Sequence, residues 1–196
     1  YRIRLEQPGF FEAEPLTTPR RIAACGRANA GAPGAKPLRG AIPHMGGNAR
    51  SPMEAAVALL LGLPNRLGGL GLPRPELNRR VTPGRRGREA TSASFYDCDL
   101  LWPEQGVALE YQGRQAHEGR LVRDAVRQAR LGAAGVDVIP ITHEQVDDVR
   151  LFHEAMMALM GKSGARWRCT VPDFGRRRWE LRRALRCLST GSYHLS

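Results

Sequence analysis

Asp99 and Glu110 lie on either side of Pro103-Glu104-Gln105-Gly106, a turn sequence between two runs with strand character, Ser94 to Trp102 and Val107 to Gln112. If those four residues form the turn, Trp102 faces Val107, so Asp99 opposes Glu110 and Asp97 opposes Gln112. Alternation then puts Asp97, Asp99, Glu110 and Gln112 on one face. Opposed Cβ atoms lie about 5 Å apart, a distance at which two ionised carboxylates destabilise the pair unless something neutralises them. A hard divalent cation such as Mg2+ or Mn2+ would do so, and it can activate water and stabilise negative charge on a phosphate in transit. The alternative is a solvated face whose acids lean toward nearby arginines. Against it, the acid face also carries Leu101 and Ala108, and the other face carries Tyr96, Cys98, Leu100, Trp102, Val107, Leu109 and Tyr111, so the sheet is expected to be covered on both sides near the turn.

The remaining elements must hold that hairpin in place. Ser51, Pro52 and Glu54 form an S-x-x-E capping box ahead of an uncharged run, Ala55 to Leu61, which predicts a buried helix. Glu76 to Val81 reads as a strand and Thr82 to Ser92 as a basic loop. Residues 119 to 134 read as a helix with Leu121, Ala125 and Ala129 on one face, ended by Gly135. Val136 to Ile141 follows as a short apolar strand. From about Asp147, apolar pairs recur every four residues and mark a further helix up to Gly161. Before this, Thr18-Pro19 opens a helix over 20 to 29, a second short helix lies near 35 to 42, and Gly46-Gly47-Asn48 reads as a linker. Beyond Gly161, a short strand could occur before Pro172, and Asp173 caps a helix with Phe174, Leu181, Leu185 and Leu188 on one stripe. The alternation of helices and strands predicts an α/β or α+β layered domain.

Composition narrows the partners. Lys plus Arg is 30 against 19 acids, a formal charge of +11, and all but Lys36 and Lys162 of the basic residues are arginines. Such a charge suggests polyanionic partners, nucleic acid first, although an arginine bias also follows from a GC-rich coding sequence. No apolar run approaches the roughly 20 residues a membrane helix needs, so no membrane partner is expected and a cytoplasmic location is. Cys25, Cys98, Cys169 and Cys187 are scattered and read as reduced thiols.

Asp99, then Glu110, Gln112, Gly113 and His117, with Ser51-Pro52-x-Glu54 upstream and Asp124, Arg127, Leu131 and Gly135 downstream, resembles the PD-(D/E)xK nuclease superfamily. The pattern is most similar to its branch of small endonuclease-like domains related to very-short-patch-repair endonucleases. The resemblance covers about residues 51 to 160. It implies a restriction-endonuclease-like mixed sheet of four or five strands flanked by helices, a Mg2+-dependent site and hydrolysis of phosphodiester bonds. Two positions depart from the pattern: Cys98 precedes Asp99 where the superfamily has Pro, and Gln112 stands where many members have Lys and this branch often has Asp. Gln can orient a water but is neither base nor cation. Pro15 to Met45 is similar to the end of an abortive-infection antitoxin-like module that often precedes such domains. With Tyr1 rather than Met at the start, that likeness makes a chain lacking its natural beginning the expectation. The expected organisation is an N-terminal segment over 1–50, the endonuclease-like core over 51–161 and a basic extension over 162–196.

The resulting expectation is a metal-dependent DNA endonuclease. Asp99 and Glu110 hold Mg2+ or Mn2+, Glu54 assists through water unless its capping role accounts for it, Gln112 orients the nucleophilic water, and His117 shuttles a proton or contacts phosphate. Arg114, Arg127, Arg176, Arg177, Arg178, Arg182, Arg183 and Arg186 are the candidates for the DNA backbone, the last six beside Trp167 and Trp179. Asp97 is a partner for an arginine or an outer acid, and Asp124 and Arg127 can simply pair on their helix. The competing class is a catalytically inactive DNA-binding or regulatory module of a defence or toxin-antitoxin system, and RNA is the third option. Residues 1–50 could cover the site or mediate a homodimer.

Overall fold

The computed structural model describes the backbone of residues 2–4, 7–11, 15–82, 95–112 and 118–190, and the side chains of 15–82, 95–112 and 125–186. The expected loop over 83–92, Arg114, His117 and the side chains of Asp124, Cys187 and Leu188 lie outside them. The chain divides into two compact units, one of residues 72–170 and one of residues 1–71 with 171–196.

The 72–170 unit is a mixed α/β layer. Its four strands, β3 (Glu76–Val81), β4 (Tyr96–Trp102), β5 (Val107–Gln112) and β6 (Asp137–Thr142), lie side by side in that order, antiparallel except for β5 and β6. The turn between β4 and β5 forms as its residues dictate: Trp102 pairs with Val107, Leu101 with Ala108 and Leu100 with Leu109. Gly106 takes φ +62°, and a Cβ there would stand 2.7 Å from the Gly135 carbonyl oxygen, so both conformation and space favour glycine. Parallel strands need a crossover, supplied here by α4 (Glu118–Ala133). Leu131 on α4 is fully buried and packs with Cys98, Leu101, Ala108 and Val136, with Val81, Tyr96 and Val138 at the margin. On the opposite face Val107, Leu109, Ile139 and Ile141 are buried too. After β6 come α5 (His143–Asp147), which carries a full capping box between Thr142 and Gln145, and α6 (Val149–Ser163), capped by Asp148. Phe152, Ala155, Met156, Leu159 and Met160 form the buried stripe of α6, the four-residue recurrence seen in the sequence. No strand forms between Gly164 and Pro172.

The other unit contains a short antiparallel pair, β1 (Arg2–Arg4) and β2 (Gln7–Phe11), and the helices α1 (Pro19–Ala28), α2 (Ala35–Ala41), α3 (Pro52–Gly62) and α7 (Phe174–Thr190). Thr18 caps α1 by accepting from the Arg21 N–H at 3.2 Å. Gly34 ahead of α2 is left-handed. Buried Ala56, Val57, Leu60 and Leu61 make α3 an interior helix. Where α3 ends, Gly68 at φ +86° meets α7 so closely that a Cβ would stand 2.3 Å from the Arg177 carbonyl oxygen.

Candidate active site

β4 and β5 are regularly paired from the turn to Leu100 and Leu109, and there the regular pairing stops. The same level is irregular on the other side of β4, where the β3 ladder skips Asn78 and Asp99 and Asn78 has φ +48°. Two side chains fill the break. The Tyr111 N–H donates to Asp99 Oδ2 at 2.9 Å, and the Asp99 N–H donates to the Glu110 carboxylate. Each acid therefore caps a peptide of the strand that bears the other.

The break also alters the faces. Strict alternation predicts Asp97 beside Asp99 and Glu110, with Tyr96 and Cys98 on the far side. Instead Cys98 packs with Leu101 and Ala108, and its thiol hydrogen-bonds Glu110. Asp97 turns to Arg80, Oδ1 to Nε at 3.3 Å. The Arg80 guanidinium also lies 3.6 Å from the centroid of the Phe95 ring. Of the two readings open for Asp97, the arginine partner is the one the structure contains. The alternation changes where β4 passes the skipped pair, opposite Asn78 in its left-handed conformation.

Glu110 has 12% of its side chain exposed, against 21% for Asp97. Arg127 reaches it from α4, placing Nη2 at 3.1 Å from Oε1 and 3.0 Å from Oε2, and also donates to the Asp97 carbonyl oxygen. Even so, burial, and after it the charge of Asp99, push the Glu110 carboxyl up to about 7, outweighing Arg127. Burial also lifts the Cys98 thiol to about 12, with Glu110 adding to the effect, so it serves as a neutral donor and not as a nucleophile.

Sequence reasoning missed a second chain of contacts. The Tyr111 hydroxyl lies 3.0 Å from His143 Nδ1, and His143 Nε2 lies 3.2 Å from Asp147 Oδ2. The peptide that caps Asp99 is thus tied through its own ring to α5. The i,i+4 spacing of His143 and Asp147 was visible in the sequence; their link to Tyr111, 32 positions away, was not.

The other expected site residues are distributed as follows. Gln112 is exposed at the end of β5, paired with Thr142. Glu54 belongs to the other unit. It is 7% exposed, its N–H donates to the N-cap Ser51 Oγ, which is one half of the expected capping box, and its carboxylate accepts the N–H of Arg50, one residue before the N-cap, at 2.8 Å. Arg176 bonds Asp173 and Glu180, and Arg177 bonds Asp173 and the Arg66 carbonyl. Arg178 is buried against the carbonyls of Leu60 and Gly68 at 2.8 and 3.0 Å, its guanidinium lowered to about 10 by burial and by the nearby Arg182 charge. These bonds give Arg177 and Arg178 a role in holding α7 to the end of α3. Arg183 and Arg186 are exposed and Arg182 is half-buried.

Among the described residues no group of three or more His, Cys, Asp or Glu side chains is placed to hold a metal ion. A cation here would therefore rest on the Asp99 and Glu110 carboxylates with water completing its shell, which is how Mg2+ is commonly bound. Burial first, and then the Asp99 charge, raise the Glu110 carboxyl despite Arg127, and a cation beside both carboxylates would offset the second of these. No family model, curated protein or solved structure matches the chain. Among the described residues no helix is long and apolar enough to cross a membrane.

Proposed function

We propose that the protein is a metal-dependent DNA endonuclease of the restriction-endonuclease-like kind, with Asp99 and Glu110 as the ligands of Mg2+ or Mn2+. The observation that carries this reading is the pair of carboxylates at the broken end of the β4–β5 ladder, one of them buried and pushed up to about 7 despite an arginine on both its oxygens. A bound divalent ion would supply an activated water and a counter-charge for the phosphate. The residues of the chain do the rest. Tyr111 fixes Asp99 through its N–H, Cys98 and the Asp99 N–H fix Glu110, and Gln112, exposed further along β5, orients a water by its amide. Arg127, which reaches the Glu110 carboxylate from α4, would donate to a phosphate oxygen beside it. The cytoplasm is the compartment that fits this reading.

Supercoiled plasmid incubated with Mg2+ or Mn2+ tests it. The wild type converts it to nicked and linear forms, EDTA abolishes the reaction, and Asp99→Ala and Glu110→Gln each lose activity by about 100-fold or more, the scale of a lost electrostatic contribution to the transition state. Equal nicking by wild type and Glu110→Gln would refute the assignment. The ion pair between Arg127 and Glu110 favours a second reading, a nuclease-fold module that binds DNA without cutting it. That reading predicts binding that EDTA does not weaken, and no nicking under any metal.

A further inference from the structure

On α7, Arg176, Trp179, Arg183 and Arg186 follow one another at spacings of three, four and three, which lines them along a single stripe of the helix. All four are exposed, and Trp179 leaves 59% of its surface in solvent. The Arg183 guanidinium lies over its ring, 5.5 Å from the centroid. Toward the start of the helix the arginines are engaged: Arg177 and Arg178 bind carbonyls of the same unit, and Asp173 and Glu180 answer Arg176 of the stripe. Past Glu180 the sequence carries Arg182, Arg183 and Arg186 and no acid, so positive charge is in excess toward the Trp179 to Arg186 end of the stripe. An indole held in water forgoes the burial that usually places tryptophan inside, and here it is flanked by guanidinium groups.

We propose that this stripe is a stacking site for an unpaired DNA strand, with one base on the face of Trp179 and the adjoining phosphates on Arg183 and Arg186. The proposal takes DNA as the polyanion from the nuclease reading and rests on it to that extent, but uses none of its carboxylates. The occupant follows from the chemistry of the stripe. Guanidinium groups alone would serve a duplex backbone equally well, and the tryptophan would then have no partner, because bases inside a duplex are already stacked on both faces. A splayed strand offers both a free π-face and phosphates at the spacing of neighbouring helical turns. A lipid surface would call for several apolar side chains on the exposed stripe, and this one has a single ring.

Anisotropy of a labelled 12-nucleotide DNA strand, with EDTA present so that nothing is cut, reads the site in the full chain. The wild type binds the single strand more tightly than a duplex of the same sequence. Trp179→Ala weakens single-strand binding by about 5- to 100-fold, the range expected for one lost base–aromatic stack, and Trp179→Phe recovers most of it. Arg183→Gln flattens the dependence of log affinity on log salt by about 0.7, one phosphate's share on a single strand. The proposal is overturned if Trp179→Ala binds as wild type does, if its loss is equal on duplex, or if RNA of the same sequence or phosphatidylserine vesicles bind more tightly than the DNA strand. Plasmid nicking separates this proposal from the reading beneath it. A wild type that binds through Trp179 and never nicks refutes the nuclease and keeps the site, and one that nicks but binds without Trp179 does the reverse.

Discussion

Glu110 and Asp173 are both carboxylates held by arginine, and their proton affinities move in opposite directions. Asp173, partly open to solvent at the start of α7, accepts from Arg177 and Arg176 at 2.7 and 2.6 Å, and these hydrogen bonds hold its carboxyl down at about 2. Glu110, buried beside a second acid, is pushed up to about 7 with Arg127 in place. An arginine neighbour therefore lowers a carboxyl near solvent, and burial with a second negative charge can outweigh it. The contrast also separates two uses of the same ion pair. On α7 it fastens a surface helix. At the end of the β4–β5 ladder it holds a carboxyl that burial and a second acid still raise.

Removing the arginine from the buried pair should have the largest effect. Arg127→Ala leaves Glu110 and Asp99 together without that counter-charge and should cost about 2 to 4 kcal/mol of stability in EDTA, below the full cost of breaking a buried pair because the Arg127 side chain is 36% exposed. Urea unfolding measures it, and adding Glu110→Gln to the same chain should recover most of the loss. If the double variant is as unstable as Arg127→Ala, the arginine acts through its bond to the Asp97 carbonyl instead.

The next test is pH. The folded carboxyl of Glu110 titrates above its ordinary value of 4.5, so the fold favours the protonated form. Its contribution is complete below about 4.5 and is lost as pH rises through about 7. Unfolding free energy in EDTA should thus fall by about 2 to 3 kcal/mol between roughly pH 4.5 and 8, each tenfold change in proton affinity being worth about 1.36 kcal/mol, and Glu110→Gln should remove that slope. A slope of the opposite sign in the wild type would mean that Arg127 dominates the site.

Smaller effects sharpen the picture. Tyr111→Phe deletes the hydroxyl bond to His143 and should cost about 1 kcal/mol, with a larger proportional loss of nicking than of stability, because the peptide that caps Asp99 loses its anchor. Asp173→Asn should change unfolding least of all at neutral pH. The stability that Asp173 adds is present above about 3.8 and lost as pH falls toward about 2, so any difference from wild type should shrink under acid and in high salt.

The sequence made the hairpin readable because its turn is short and unambiguous, and a two-strand register follows from a turn by counting. The Ser51 cap of α3 and the four-residue stripe of α6 were readable for the same local reason. The break at Asp99 was not, because it lies opposite Asn78, 21 positions earlier and in a left-handed conformation, and nothing in the period-two pattern of β4 records that. Cys98 was accordingly placed on the wrong face, and Asp97 was expected beside the pair. Nor could the sequence divide the arginines of α7. Arg178 and Arg183 look alike when read along the chain, and only the approach of the end of α3, more than 100 positions upstream, puts one against carbonyl oxygens and leaves the other on the surface.

Mn2+ titration of the metal-free protein at about pH 8, followed by the loss of the free-ion paramagnetic signal, bears most directly on whether Asp99 and Glu110 share a cation. The account predicts one bound Mn2+ per chain that is lost in both Asp99→Ala and Glu110→Gln and weakens as pH falls below about 7. Binding that is absent from the wild type, or unchanged in either variant, would contradict it.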